Sequence, residues 1–221
     1  EDCTPDIVSL QKLLLEKAET VLIKTAPLLD IHQAETKLSH IQSIYIVAVA
    51  NEVKEVLYVL HDRPTTTPLI HAVNLSATNA TFSFTREEEN AADVSYSTPL
   101  KYIYEPNKAI LKGGAFKLIC NRFGVEKLHP NSHLYTSDVL HEFPGRAFEC
   151  LAAVPYKKQA ILPYLADKKA NITTRNFPNT VQTIKKKMGI QDGGETYLLA
   201  TTNIEDRPVV LVCKKVGKPT F

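Results

Sequence analysis

Two short apolar runs decide how this chain is expected to fold: Thr196-Tyr-Leu-Leu-Ala-Thr-Thr202 and Pro208-Val-Val-Leu-Val-Cys213. Both contain mainly apolar, β-branched and aromatic residues, and the five residues between them form a loop of hairpin length. A similar pair of runs occurs earlier, at residues 43–50 and 56–60, with residues 51–55 as the expected loop. The sequence therefore predicts a sheet built largely from antiparallel hairpins.

Further strands and two helices complete the predicted architecture. The runs at 81–85, 101–105 and 116–120 are predicted strands, and turn signals at 106–107 and 113–114 separate them. Apolar residues at near-helical spacing from Ile7 to Leu22 predict an amphipathic N-terminal helix that ends before Pro27, and the spacing between Phe177 and Met188 predicts a second helix at 177–188. Residues 86–98 lack a clear pattern and are expected at the surface.

The predicted fold class is α+β, mostly antiparallel β, with a curved sheet or barrel and residues 1–221 as a single domain. No helix long enough for a crossover is predicted between the strands, so a parallel sheet is not expected. A helix plus a hairpin occurs at 5–60 and again at 177–214. This pattern indicates a two-part repeat, although hairpin composition alone would produce the same similarity.

Cysteines and glycan acceptor motifs predict a secreted, extracellular glycoprotein. The chain has an even number of cysteines without C-x-x-C spacing, and it starts without Met or an apolar leader, as after removal of a signal peptide. We expect disulfide bonds from Cys3, Cys120, Cys150 and Cys213, and glycans at Asn74, Asn79 and Asn171. The alternative is a cytosolic protein with four buried thiols. No apolar run is long enough to span a membrane.

The charge is unevenly distributed along the chain. Residues 1–110 contain 9 Lys/Arg and 15 Asp/Glu, a balance of −6, whereas residues 111–221 contain 17 and 9, a balance of +8. The lysine pairs and triplet of the second half could meet an anionic partner or a sister subunit in a homo- or hetero-oligomer, or they could form a solvated face. Nucleic acid is not expected as a partner, because no aromatic residues are interleaved with those lysines as a stacking platform requires.

The sequence contains no catalytic motif, so no enzyme and no cofactor are predicted. Gly-x-Ser-x-Gly, a phosphate-binding glycine loop and His-Glu-x-x-His are all absent. His129 and His133 have i, i+4 spacing, but Pro130 and Asn131 between them disfavour a helix that would bring both rings to one face. Adding His141 and Glu142 would give a metal site, but the prediction is that the chain binds no metal.

The late hairpin, Tyr197-Leu-Leu-Ala-Thr-Thr-Asn203 with Pro208-Val-Val-Leu-Val-Cys-Lys214, resembles that of secreted lipocalins. The resemblance implies a barrel around a small apolar ligand and the disulfide pairs Cys3–Cys150 and Cys120–Cys213. The residues that would line the ligand site are aromatic strand residues, which could equally be plain core: Tyr45, Phe82, Phe84, Tyr102, Tyr104 and Phe116.

The function predicted on this basis is that of a secreted carrier of an apolar ligand, as a subunit of an egg-fluid, plasma or salivary assembly. An interaction module is the alternative: a cystatin-like protease inhibitor, or a structural or storage subunit without a ligand. A helix laid across a curved sheet, as in cystatin-like folds, accounts for residues 5–120 equally well.

Overall fold

The computed structural model describes residues 5–63, 65, 67–76 and 80–217, so Cys3 and Asn79 lie outside the described residues. The chain divides into two compact units. Unit 1 consists of Glu1–Ala92 and Asn107–Ala115, and unit 2 consists of Asp93–Pro106 and Phe116–Phe221. Each unit is built on its own β-sheet.

In its described residues, unit 1 contains a mixed, five-stranded sheet with four short helices. Its elements in chain order are α1 (Ile7–Lys17), β1 (Thr20–Thr25), α2 (Ile31–Lys37), β2 (Ile41–Val49), β3 (Glu52–His61), β4 (Leu69–Leu75), β5 (Ala80–Phe84) and α3 (Arg86–Ala91), with α4 (Lys108–Gly113) returning from later in the chain. The strand order is β1–β3–β2–β4–β5. Ile46, Tyr58 and Phe84 are fully buried and belong to the core of this unit.

Helix α4 lies close to the sheet of unit 1, and Gly113 makes this approach possible. A Cβ atom at Gly113 would lie only 3.0 Å from Cδ1 of Ile46. The carbonyl of Gly113 accepts a hydrogen bond of 2.7 Å from Nη1 of Arg86, whose Nη2 lies 3.0 Å from Oε2 of Glu35. A larger residue at position 113 would therefore crowd the buried side chains of Ile46 and Phe84.

Unit 2 contains a mixed, seven-stranded sheet. Its elements are β6 (Tyr102–Pro106), α5 (Leu118–Phe123), β7 (Glu126–His129), β8 (Ser132–Ser137), β9 (Gly145–Pro155), α6 (Lys158–Ile161), β10 (Asn171–Arg175), α7 (Val181–Met188), β11 (Thr196–Thr202) and β12 (Pro208–Lys215). The strand order is β10–β11–β12–β9–β6–β8–β7, and β10 runs parallel to β11. Helix α7 lies in the crossover between these two parallel strands.

The sheet of unit 2 buries both of its faces in the region of β11 and β12. Leu198 and Val212 belong to one apolar cluster, which includes Ile184 and Met188 of α7. Leu199, Leu211 and Cys213 belong to a second cluster, together with Ile103, Leu134 and Phe148. Because successive residues of a strand point to opposite faces, the two clusters lie on opposite sides of the sheet.

The predicted barrel or largely antiparallel curved sheet is wrong, because the structure has two mixed sheets and neither is closed in the described residues. Strands β2 and β4 are parallel, since β3 lies on the far side of β2 and itself carries the chain back. The expectation that no strands would pair in parallel is therefore wrong, because strand β3 makes the connection for which a helix was thought necessary. No helix within the described residues is long and apolar enough to cross a membrane.

Several individual elements also differ from the sequence predictions. The N-terminal helix ends at Lys17, and Thr20–Thr25 is a strand instead of its last turns. Residues 118–123 form helix α5, whereas a strand was predicted at 116–120. Residues 86–91 form helix α3, which begins with a capping box between Thr85 and Glu88. The helix predicted at 177–188 is present but starts at Val181. Both predicted hairpins are present, but residues 52–55, predicted as the loop of the first, belong to β3.

Candidate nucleic-acid interface

Helix α7 presents lysines to solvent because its apolar residues face the sheet. Thr180 caps the first turn by accepting a hydrogen bond of 3.2 Å from the backbone of Thr183, and Gly189 ends the helix with a left-handed backbone, φ 70°. Ile184 and Met188 are buried in the apolar cluster under the helix. Lys186 and Lys187 therefore lie on the exposed side of its last turn.

The exposed lysines of α7 and of the start of α6, where Lys157 is the N-cap, form a basic surface. It is here called the lysine face and defined by Lys157, Lys158, Lys186 and Lys187. Nζ of Lys158 lies near the end of α7, 3.8 Å from the position of a Cβ atom on Gly189. In the part of the chain that the structure describes, no carboxylate lies within ion-pair distance of these four lysines. Their charges are therefore not neutralised by the described residues of the unit that carries them.

Aromatic residues accompany the lysine face. Nζ of Lys187 lies 4.7 Å from the ring centroid of Tyr156, and the Tyr156 ring packs edge-on against Phe177 with 5.0 Å between centroids. Burial raises the pKa of Tyr156, so its hydroxyl stays protonated. Tyr164, which follows α6 by one turn, is 44% exposed. The sequence analysis missed these two tyrosines, although Tyr156 directly precedes the Lys157-Lys158 pair.

Lys185, in contrast, belongs to a local ion pair. Its ammonium group lies 2.5 Å from Oδ2 of Asp192 and is mostly buried. This lysine therefore stabilises the connection after α7 and does not contribute a free charge to the lysine face.

A second charged cluster of unit 2 is centred on Glu105, which is only 3% exposed. Arg146 of β9 donates from Nε to Oε2 at 2.7 Å, and Nη2 of Arg175 of β10 lies 2.5 Å from Oε1. The second contact is an ion pair without hydrogen-bond geometry, since Oε1 accepts no hydrogen bond. Both arginines keep about a third of their side chains exposed. The cluster therefore has two cations around one anion.

The two histidines of the predicted metal motif have separate partners. His129 Nδ1 accepts from the backbone of Asn131 at 3.0 Å, which leaves its Nε2–H to donate to Asp206 at 2.9 Å. His133 stacks on Phe116 with 3.9 Å between ring centroids. Burial, with Lys127 and Arg175 nearby, lowers the pKa of His133 to about 4. The two ring nitrogens of His129 thus have hydrogen-bond partners, whereas Nδ1 of His133 is buried without one.

His141, the third histidine of that motif, also has a local contact. Nε2 of His141 lies 3.1 Å from the hydroxyl of Ser137, and Glu142 is exposed. In the described residues, the group whose His and carboxylate atoms come close enough to share a metal ion is Glu19, His61 and Asp62 of unit 1. His61 already contacts both carboxylates there, with 2.7 Å to Asp62 and 3.4 Å to Glu19.

The six predicted ligand-lining aromatics are divided between the units. Tyr45 stacks on His71 with 4.5 Å between centroids, and Phe82 and Phe84 lie in β5 of the same unit. In unit 2 the hydroxyl of Tyr104 donates to the carbonyl of Val139 at 2.8 Å. Tyr102 is half-buried on β6, and the ring of Phe116 stacks on the ring of His133. The barrel that suggested a shared ligand site is not present in the described residues. The role of these six residues in ligand binding stays a prediction.

A cleft of 530 Å³ occurs elsewhere in unit 1, beside α1. None of the six aromatic residues lines it, and its lining residues are Val8, Gln11, Lys12, Leu15, Glu16, Ser39, His40 and Asp62. This cleft therefore does not correspond to the cavity predicted beside the strand aromatics.

Two predicted glycan acceptors are described by the structure. Asn74 lies on β4 and its Oδ1 accepts a hydrogen bond of 2.9 Å from the backbone of Asn51. Asn171 begins β10 and donates from Nδ2 to the carbonyl of Gly194 at 2.9 Å. Nothing in these contacts indicates glycosylation or secretion, so the predicted extracellular location remains untested.

Comparison with known proteins relates the chain to families other than the predicted lipocalins. Residues 102–144 match a ferredoxin-like domain family model, and residues 145–215 match a THUMP domain-like family model. No curated protein matches the chain. The lysine face and β9–β12 all lie within the segment that matches the THUMP domain-like model.

A crystal structure of a protein from Porphyromonas gingivalis W83, provisionally assigned as a methyltransferase, is similar to the whole chain. The identity is 37% and the TM-score is 0.90. The match covers 98% of this chain and 56% of the other, so the chain spans little more than half the length of that protein.

These similarities correct four predictions. The lipocalin resemblance is wrong, and so is the apolar-ligand carrier that it implied, because the fold is shared with the P. gingivalis protein. The prediction of a non-enzyme is contradicted by that protein's assignment, and the exclusion of nucleic acid is contradicted by the THUMP domain-like match. The chain is thus similar over 98% of its length to a protein provisionally assigned as a methyltransferase, and its residues 145–215 match the THUMP domain-like family.

Proposed function

We propose that unit 2 binds RNA through the lysine face and serves as the substrate-binding part of an RNA methyltransferase. THUMP domains are typically RNA-binding modules, and the segment that matches the family lies in the basic half of the chain. Residues 145–215 contain 12 Lys/Arg and 6 Asp/Glu, a balance of +6. The single observation that supports the proposal most strongly is the location of the unneutralised lysine face within this segment.

Lysines without carboxylate partners suit the RNA backbone. Each lysine that neutralises a phosphate releases condensed counterions, which makes binding favourable and strongly dependent on salt. A lysine ammonium is a point charge and does not read base edges as a bidentate arginine does. We therefore expect the lysine face to provide affinity and orientation, with little dependence on RNA sequence.

An exposed aromatic side chain adds a possible contact to bases. Tyr164 is exposed one turn after α6, and a tyrosine ring that stacks on an unpaired base typically contributes about 1–3 kcal/mol. Unpaired nucleotides offer the base faces that such a ring needs, whereas a duplex hides them. The substrate class supported by this arrangement is structured RNA with a single-stranded end or loop.

The methyltransferase part of the proposal is supported by the similarity to the P. gingivalis protein. Methyl transfer to RNA requires that the target nucleotide be held in place, and a basic surface can position a large substrate at many phosphates. The role assigned to the 221 residues is this positioning, and the proposal does not assign the transfer step to any of their side chains.

Fluorescence anisotropy with a fluorescein-labelled stem-loop RNA tests the proposal. In the variant Lys186→Glu/Lys187→Glu, we expect the affinity to fall by about tenfold or more, and the salt dependence of log K to become shallower by about one per lysine. Removing the tyrosine ring with Tyr164→Ala should weaken binding to an RNA with a single-stranded end more than binding to a blunt duplex.

The matched control is Lys17→Glu/Lys37→Glu, because these exposed lysines also lie in the last turns of helices, α1 and α2. This control changes the net charge of the chain by the same amount, so a general charge effect would weaken both variants equally. Equal affinity of the wild type and the α7 variant for RNA at low salt would overturn the proposed role of the lysine face.

A further inference from the structure

Cys150 of β9 and Cys213 of β12 are direct cross-strand neighbours in the sheet of unit 2. They are register partners in an antiparallel pair, and the register shifts beside them because Leu151 has no partner on β12. Directly opposed residues of antiparallel strands have Cβ atoms about 4.5–5.5 Å apart. That spacing is close to what a disulfide bond requires, so little backbone movement would bring the two sulfurs together.

The two thiols differ in their surroundings. Cys213 is fully buried in the apolar cluster with Leu199 and Leu211, whereas Cys150 is partly exposed at the edge of the same cluster. As a thiol, Cys150 donates to the carbonyl of Ala152 at 3.7 Å. A solvent-borne reagent can therefore reach Cys150 before it reaches Cys213.

The interaction between the thiols also separates their chemical roles. A hydrogen bond from Cys213 lowers the pKa of Cys150, and the same hydrogen bond, with burial, raises the pKa of Cys213. The thiolate is the attacking form in thiol–disulfide exchange. Cys150 is therefore the thiol that reacts first.

We propose that Cys150 and Cys213 are a redox-active dithiol that closes to a cross-strand disulfide by exchange with a small disulfide such as glutathione disulfide. The Cys150 thiolate attacks one sulfur of glutathione disulfide, and the S–S bond breaks to release one glutathione thiolate. Cys213 then gives its proton to that thiolate and attacks the Cys150 sulfur, which releases the second glutathione. Two electrons pass from the protein thiols to glutathione disulfide, which becomes two glutathione thiols.

This pairing replaces the one that the lipocalin resemblance implied, Cys3–Cys150 with Cys120–Cys213. Cys213 already has Cys150 opposite it, and each partner lies within the segment that matches the THUMP domain-like model. Closure would join β9 to β12 covalently beside the register shift at Leu151. The site is thus a modification site in the same unit as the proposed RNA-binding surface.

The test exposes the folded, reduced chain to glutathione disulfide, blocks unreacted thiols with iodoacetamide and maps the tryptic peptides without reduction. We expect peptide 147–157, which contains Cys150, to be joined to peptide 188–214, which contains Cys213. The joined pair should weigh about 2 Da less than the sum of the reduced peptides. Oxidation should also raise Tm by about 5–10 °C, because the crosslink restricts the unfolded chain.

Three variants that each replace one cysteine distinguish the roles of Cys150 and Cys213 in this reaction. Cys150→Ala should form neither the crosslink nor a glutathione adduct on Cys213. Cys213→Ala should stop at a stable glutathione adduct on Cys150, because the second thiol is missing. Cys120→Ala, a control in helix α5, should close at the wild-type rate.

Two results would overturn the proposal. One is a glutathione adduct on Cys150 of the wild type that persists without closing. The other is a crosslink from Cys150 or Cys213 to a different cysteine in the folded chain. If Cys213→Ala does not fold, the peptide map of the wild type and of Cys150→Ala decides the question.

Discussion

Glu105 is a buried carboxylate of unit 2 whose negative charge is paired with two arginines. A buried carboxylate is costly unless it is paired, and here Arg146 and Arg175 approach its two oxygens from β9 and β10. The pairing joins residues that are far apart in sequence, and it ties the segment that matches the ferredoxin-like model to the segment that matches the THUMP domain-like model. The arginines therefore have a structural role that limits their contribution to RNA binding.

At the same scale, His133 makes the stability of the protein depend on pH. Burial lowers its pKa from 6.5 to about 4 in the folded chain. Between these values the unfolded chain binds a proton that the folded chain does not, so stability falls as the pH falls from 6.5 towards 4. We expect this histidine to contribute on the order of 2 kcal/mol to that loss, after allowance for its partial exposure.

His133→Phe tests this expectation, since phenylalanine keeps a ring on Phe116 but cannot be protonated. Urea unfolding at pH 7 and at pH 4.5 should show a smaller loss of stability for the variant than for the wild type. His32→Gln is the control, because the side chain of His32 is 85% exposed. An equal loss in the wild type and His133→Phe would contradict the assignment.

At the scale of elements, the turn between β2 and β3 is short and has an unfavourable residue. Ala50 and Asn51 have φ values of 50° and 65°, as the two central residues of a type I′ turn. Asparagine tolerates this conformation, and its Oδ1 also accepts from the backbone of Lys108 at 2.8 Å. Alanine does not tolerate it well, because its Cβ atom crowds the backbone there.

Replacing Ala50 by glycine should therefore stabilise the protein by about 0.5–1 kcal/mol. Asn51→Ala should have the opposite effect, because it adds strain and leaves the Lys108 amide without its partner. Both changes can be measured as shifts in the midpoint of urea unfolding. A loss of stability in Ala50→Gly would show that the turn is not strained at this position.

The elements that the sequence predicted correctly are those fixed by neighbouring residues. The hairpins follow from β-branched runs with a turn between them, and α7 follows from its apolar spacing and Gly189. Short apolar runs are ambiguous between helix and strand, which explains the errors at residues 20–25 and 118–123. Helix α3 could have been found from Thr85 and Glu88, three residues apart, since this is the pattern of a capping box.

At the scale of the whole molecule, what the sequence did not predict is the pairing of distant strands. The parallel neighbours β2 and β4 depend on which edge of β2 stays available after β3 has paired, and no local pattern encodes that choice. The candidate site was missed for a related reason. The lysines were visible in the sequence, but their position beside Tyr156 and away from carboxylates depends on the packing of α6 and α7.

The two segments that match separate family models share one sheet. Strand β9, from the segment 145–215, pairs with β12 on one side and with β6, from the segment 102–144, on the other. Ile103, Leu128 and Leu134 of the first segment complete the apolar cluster around Leu199 and Leu211 of the second. The cluster is therefore built by both segments together.

A fragment of residues 145–215 should consequently not fold cooperatively on its own. It would lose the β6 partner of β9, expose the apolar cluster on one face of the sheet and leave Arg146 and Arg175 without Glu105. We expect strong binding of the dye ANS and no sharp thermal transition by circular dichroism, in contrast to the full chain. A cooperative transition in the isolated fragment, with weak ANS binding, would show that the THUMP domain-like segment is an independent domain and that the shared sheet adds little to its stability.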